Sequence, residues 1–173
     1  MNPSRHTTLR TFSLLAVVVM ALGYLGLAAA SARAEARPPA PCREGQVAVS
    51  VGRADPAAGQ LTVPLRFRST NRAVCSLYGY PGVSAVDAHG RQIGAPAERN
   101  GQQPVNVVLA PGTTGAATVM TADGTTGGGR CRPAAAGLRV YPPGQYRSQF
   151  VPVQLRVCGG EFGVGPVTAA QAR

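Results

Sequence analysis

Four cysteines, Cys42, Cys75, Cys131 and Cys158, are the side chains of this sequence best suited to covalent chemistry. The chemistry they fit is disulfide formation rather than zinc binding, because none of them forms a C-x-x-C pair and thiols of an exported chain oxidise. In an antiparallel hairpin, residues equidistant from the turn face each other. Cys42 and Cys75 are centred between Ala58 and Gly59, and Cys131 and Cys158 on the Gly144-Gln145 bond, and both midpoints fall among turn-forming residues. Of the connectivities open to four cysteines, only Cys42 with Cys75 and Cys131 with Cys158 places both midpoints in turns. No metal site and no cofactor is expected.

Acid-base and nucleophilic chemistry has few footholds. Once an N-terminal signal is removed, His89 is the sole histidine, in the turn-like segment Asp87-Ala-His-Gly90. A histidine near an aspartate can serve a serine, since such triads are spatial. Ser84 is the nearest serine in sequence, but Gly82-Val-Ser-Ala-Val86 lacks the closing glycine of a nucleophile elbow. Asp87, Glu98, Asp123 and Glu161 are isolated from one another, so no carboxylate pair for glycoside hydrolysis is favoured. Gly127 to Gly129, followed by Arg130, offers backbone N–H groups to an anion but no helix behind them, and reads as a loop. A secreted hydrolase using His89 is the alternative to a non-catalytic reading.

The basic residues leave electrostatic recognition. All 17 are arginine, giving a formal charge of +10, so lysine-based Schiff-base and phosphate-loop chemistries are excluded. Arg66, Arg68, Arg139 and Arg156 each alternate with apolar neighbours, and if their strands share a sheet they line one outer face. That face is the candidate anion-binding site, with an anionic cell-envelope polymer or another exported protein as partner. Nucleic acid is not expected, because the arginines never run consecutively and aromatics for base stacking are not interleaved with them.

The elements that must position these residues begin after a leader. Arg5 and Arg10 precede an apolar run from Phe12 to Ala30, which ends in small residues at Ala30, Ser31, Ala32 and Ala34. This is the order of a secretory signal, with residues 1–34 as the working signal peptide. The run is long enough to be weighed as an uncleaved anchor, but Gly23, Gly26 and the A-x-A end favour cleavage. The mature chain then carries 14 arginines against 7 acids, no stable membrane span, and a secreted or envelope-associated location. Residues 35–41 are a Pro-rich spacer, 42–168 a single domain, and 169–173 a C-terminal tail.

Period-two alternation dominates that domain. Val47, Val49 and Val51 form one apolar face, and Leu61, Val63, Leu65 and Phe67 another, joined through Asp55-Pro-Ala-Ala-Gly59. Pro64 assigns the second strand to an edge or a bulge. Pro81 and Gly82 suit the centre of a type II turn. Val83 to Asp87 with Arg91 to Gly94, and Val105 to Leu109 with Ala116 to Thr121, read as two more hairpins. Leu138 to Tyr141 returns through Pro142-Pro-Gly144 to Val151 to Val157, and Phe162, Val164 and Val167 close the sheet. Short strands with Gly/Pro turns and no helical period predict an all-β, antiparallel, immunoglobulin-like β-sandwich with two disulfides.

The segments LYGYPGVSAVDAHGRQIGAPAER (Leu77 to Arg99), VVLAPGTTGAATV (Val107 to Val119), the C-R-P of Cys131 to Pro133 and LRVYPPGQ (Leu138 to Gln145) resemble the exported actinobacterial domain-of-unknown-function family 4232. The resemblance runs from Cys42 to Val167. It implies a secreted or envelope-associated β-sandwich and carries over no activity, ligand or catalytic residue. The function expected is that of a non-catalytic binding module, with a purely structural envelope protein as a further alternative.

Overall fold

The computed structural model describes residues 38–125 and 129–170. The leader 1–34, the first part of the spacer and the last part of the tail lie outside the described residues. Every regular element among those described is a β-strand.

Alternation builds the two longest strands. In β3 (Gln60–Ser69), Val63, Leu65 and Phe67 are buried while Arg66 and Arg68 face solvent. β8 (Thr114–Ala122) buries Ala117 and Val119 in the same rhythm. The two run antiparallel without interruption from Gln60 opposite Ala122 to Arg68 opposite Thr114, so that Val63 meets Val119 and Leu65 meets Ala117. On the other edge of β3, β1 (Val47–Val51) pairs from Val47–Ser69 to Val51–Leu65, and β2 (Asp55–Ala57) pairs from Asp55–Thr62 to Ala57–Gln60, one residue out of step. Pro64 faces this irregularity. Its carbonyl accepts a hydrogen bond from the N–H of Gly52 at 2.7 Å, and its missing N–H falls where the ladder is already broken. Pro64 therefore lies in a central strand, opposite a bulge whose extra residue is in the neighbouring β1–β2 segment. Gly52 suits it, because a Cβ there would lie 2.9 Å from Pro64 Cγ.

β11 (Phe162–Val164) pairs antiparallel with β8, β6 (Glu98–Arg99) runs parallel to β11, and β12 (Thr168–Ala169) pairs with the start of β8. These complete a seven-stranded sheet. A three-stranded sheet is ordered β10 (Gln149–Leu155), β9 (Ala135–Tyr141), β5 (Gly82–Val86), and a two-stranded sheet joins β4 (Cys75–Tyr78) to β7 (Asn106–Leu109). All three contribute to one core: Leu65, Phe67 and Val119 from the first, Val83, Leu138 and Val140 from the second, Leu77 and Leu109 from the third.

Two turn expectations are corrected. Gly82 does not occupy a left-handed turn position; the positive φ of this segment is at Gly79, 105°, and Gly82 opens β5 opposite Tyr141. The segment Ala110 to Thr113 turns, with Thr113 N–H bonded to the Ala110 carbonyl at 3.0 Å, but β7 and β8 do not pair across it. β7 joins β4 and β8 joins β3, because the buried residues of β7, Val107 and Leu109, meet Leu77 and Cys75. Symmetric alternation either side of a turn shows that two strands exist, not that they pair with each other.

The disulfides are Cys42–Cys75 and Cys131–Cys158. The second follows the hairpin argument closely: Cys131 lies opposite Cys158 at the register that places Arg139 opposite Phe150, regained beyond a bulge between Pro152 and Leu155. The first is centred on the predicted turn, but locally the chain has changed direction. Pro41 and Ser76 form a parallel bridge, with Ser76 N–H bonded to the Ala40 carbonyl and Cys42 N–H to the Ser76 carbonyl. The spacer thus ends as an extra strand alongside β4.

The side chain of Gln149 links two of the sheets. The amide of Gln149, in β10, accepts from Val49 N–H at 3.0 Å and donates to the Val47 carbonyl at 2.8 Å, occupying the free edge of β1 as a peptide group would.

The β2–β3 turn carries a correctable strain. Both central residues are left-handed, Ala58 with φ of 50° and Gly59 with φ of 79°, as a two-residue type I′ turn requires. Ala58→Gly is expected to raise the unfolding free energy in urea by about 0.5–1 kcal/mol, because an L side chain is disfavoured there. Replacing both Cys131 and Cys158 by serine is expected to lower it by roughly 3–4 kcal/mol, the loop-closure value for a ring of this size.

Candidate functional site

The outer face of the three-stranded sheet carries a cleft lined by one of the sequence-predicted arginines, Arg139. Arg139 in β9 lies between Ser84 of β5 and Phe150 of β10 in one cross-strand row. Its Nη2 donates a hydrogen bond to the Gly90 carbonyl, which fixes the half-buried guanidinium against the turn after β5. Val86 is buried on this outer side, apart from the main core, and is part of the cleft lining. Phe150 is 58% exposed, and its ring lies against Gly137, where a Cβ would come 2.5 Å from the ring. With Asp87, Ala88, Gly90 and Ser148, these residues enclose about 260 Å³. That is below the usual range for a whole drug-sized ligand and suits one charged group with a short apolar neighbour.

The turn beside the cleft is built by Asp87. Its Oδ1 accepts from the N–H groups of His89 and Arg91, each at 2.9 Å, and its Oδ2 accepts from Arg91 Nε at 2.9 Å. Gly90, with φ of 75°, closes the turn by donating to the Asp87 carbonyl at 3.0 Å. The hairpin expected here forms, but only as a bridge between Val86 and Gln92 rather than a second full strand. The Asp87 carboxylate is therefore committed to the backbone and to Arg91, and no hydrogen bond joins the His89 imidazole to a described residue. Ser84 is buried in β5, opposite Arg139.

The four arginines do not form one face. Arg66 and Arg68 stand on the outer face of β3 in the seven-stranded sheet, where Arg68 Nε reaches the Gly112 carbonyl at 3.4 Å. Arg139 belongs to the three-stranded sheet, and Arg156 is exposed on the segment between β10 and Cys158. The shared sheet on which the single face depended is replaced by separate sheets. Among the described residues no carboxylate forms an ion pair with Arg139, and none of the His, Cys, Asp and Glu side chains cluster as metal ligands. Gly127 and Gly128 lie outside the described residues, whereas Gly129 is exposed and packs on Gly159, where a Cβ would come 2.7 Å from Gly159 Cα. Sequence reasoning missed Phe150 and Ser148; the signal for Phe150 was Gly137, a strand glycine placed where a cross-strand aromatic can lie over it.

The family model described as "Domain of unknown function (DUF4232)" matches residues 42–168. The chain belongs to this family. Neither the curated proteins nor the solved structures contain a match to it. The match begins at Cys42 and ends at Thr168, so this DUF4232 domain includes both disulfides, the Arg139 cleft and the first residue of β12.

The N–H of Arg91 is the main cause that holds the Asp87 carboxyl below its ordinary value of 3.8; desolvation opposes it as the next largest effect, and the Arg91 guanidinium and the His89 N–H add to the lowering. A carboxyl depressed in the folded state stabilises fully above its unfolded value, and that contribution disappears as pH falls through the lower folded value. The amide proton shifts of His89 and Arg91 should therefore titrate together with a midpoint below 3.8, and Asp87→Asn should abolish the transition.

Proposed function

We propose that this DUF4232 chain is an exported actinobacterial protein, an immunoglobulin-like β-sandwich without catalytic activity, that binds an anionic group of a cell-envelope polymer in the Arg139 cleft. The observation that carries the reading is a guanidinium held in place by a backbone carbonyl, without a carboxylate partner among the described residues, beside an exposed aromatic ring. Arginine offers five N–H donors in a fixed fork, and the Gly90 carbonyl takes one direction of it, leaving the rest for a carboxylate or phosphate. Phe150 supplies an apolar surface for the atoms next to that charge. The two disulfides agree with an oxidising location, and the leader sequence is the argument for export.

Arg66, Arg68 and Arg156 act on this reading as general positive potential that draws the polymer in and weakens with salt. Retention on envelope polyanion, measured by co-sedimentation with cell-wall fractions, is expected to fall about tenfold or more in Arg139→Gln, the loss of a charge-assisted hydrogen-bonding site. Arg66→Gln with Arg68→Gln should weaken retention less and chiefly reduce its salt dependence. Equal retention by wild type and Arg139→Gln refutes the cleft; capture of an acidic exported protein in place of polymer reassigns the partner.

A further inference from the structure

The two-stranded β4–β7 sheet has one edge that is occupied and one that is open. Ser76 gives both its N–H and its carbonyl to the spacer, at Ala40 and Cys42. In an antiparallel pair a residue's N–H and carbonyl point to the same side, so Ser76–Val108 is a non-hydrogen-bonded pair of the β4–β7 ladder, as is Tyr78–Asn106. The N–H and carbonyl groups of Asn106 and Val108 consequently point away from β4, to the outer edge of β7. The series stops on both sides: Pro104 has no N–H to give, and the Ala110 carbonyl accepts from the N–H and hydroxyl of Thr113.

The side chains around this edge are apolar and uncharged. Val108 is 53% exposed, Val105 52% and Tyr78 65%. No charged residue occurs from Asn100 to Ala122, or from Ala73 to Val86. Exposed strand edges are ordinarily guarded by charge, proline or a bulge within the strand. β7 has none of these between Asn106 and Leu109.

We propose that β7 is a self-pairing edge through which two copies of this chain join antiparallel. Charge selects the occupant. A chain of formal charge +10 meets repulsion when it apposes arginine-bearing surfaces, and the β4–β7 strands are free of ionisable side chains except the Tyr78 phenol. In the two-fold register with Val107 on the axis, Asn106 of each copy exchanges both backbone hydrogen bonds with Val108 of the other, so that all the outward groups of both residues are paired. Two β4–β7 pairs then become one continuous sheet, and the two Val108 side chains become diagonal neighbours on its outer face.

Sedimentation equilibrium of the purified, oxidised protein tests this. A reversible dimer is expected, and Val108→Lys or Val108→Glu should each weaken it by about tenfold or more through diagonal like charges and loss of the apolar contact. Since Val108 is more than half exposed, both variants should keep the disulfides and the thermal midpoint of the monomer. Mixing the two variants should restore association as a heterodimer. A wild type that stays monomeric at every concentration, including one that captures extended peptides on this edge instead, overturns the proposal. So does a dimer indifferent to both substitutions, or a mixture that does not recover.

Discussion

The structure depends on one long-range ladder, that of β3 with β8. It is the longest antiparallel pairing in the domain, from Gln60–Ala122 to Arg68–Thr114, and it joins segments far apart in sequence. β1 and β2 attach to one side of it, β11 and β12 to the other, so the seven-stranded sheet exists only once this pair has closed. Loop-closure entropy must be met before such contacts return any free energy. The disulfides do not shorten that loop, since Cys42–Cys75 and Cys131–Cys158 each bridge a local segment. Apolar burial of Val63, Leu65 and Phe67 against Ala117 and Val119 must therefore offset it.

The other sheets are tied to this one by side chains and by the spacer. Gln149 fills the edge of β1 with its amide, which joins β10 to the seven-stranded sheet and leaves the Val47 carbonyl and Val49 N–H partnered. Buried Gln145 donates to the Cys42 carbonyl at 3.4 Å, and Tyr146 N–H bonds to Glu44 at 3.2 Å, so the β9–β10 turn rests on the start of the domain. Cys42 in turn is bonded to Cys75 and flanks the bridge to Ser76. The cysteine pair is thus a junction between the spacer, β4 and the β9–β10 turn rather than a clamp on a single hairpin. At the other staple, Gly124 packs directly on the sulfurs, where a Cβ would lie 2.9 Å from both Sγ atoms. Thr121 accepts from Cys158 N–H at 3.1 Å, which ties that staple to β8.

Much of this was legible locally. Alternation located the strands around Val47, Leu61 to Phe67 and Leu138, and the midpoint rule paired the cysteines, because both quantities are set by strand period and turn position alone. What sequence did not show was which strand sits beside which. β7 and β8 flank a good turn at Ala110 to Thr113 yet belong to different sheets, and that choice is made by burial of Val107 and Leu109 against β4, a tertiary fact. The arginine face failed for the same reason: a period-two pattern tells which residues of a strand share a side, but nothing about whether two strands share a sheet. Arg139 was visible as an outward residue, whereas its partners Gly90 and Phe150 come from a turn and a neighbouring strand that only the register brings together.

The resulting surface separates two kinds of chemistry. Arginines are distributed over the outer faces of β3, β9 and the segment after β10, while the β4–β7 sheet is uncharged apart from its tyrosine phenol. A uniform scatter of the same arginines would keep the chain soluble equally well, but it would place positive charge on every edge and oppose any approach of like chains. Concentrating the charge elsewhere leaves one edge where backbone groups and valine side chains dominate. Long-range attraction to anions and short-range strand pairing can then operate on different parts of the domain, because screened Coulomb forces act over about 8 Å at physiological salt while hydrogen-bonded pairing requires contact.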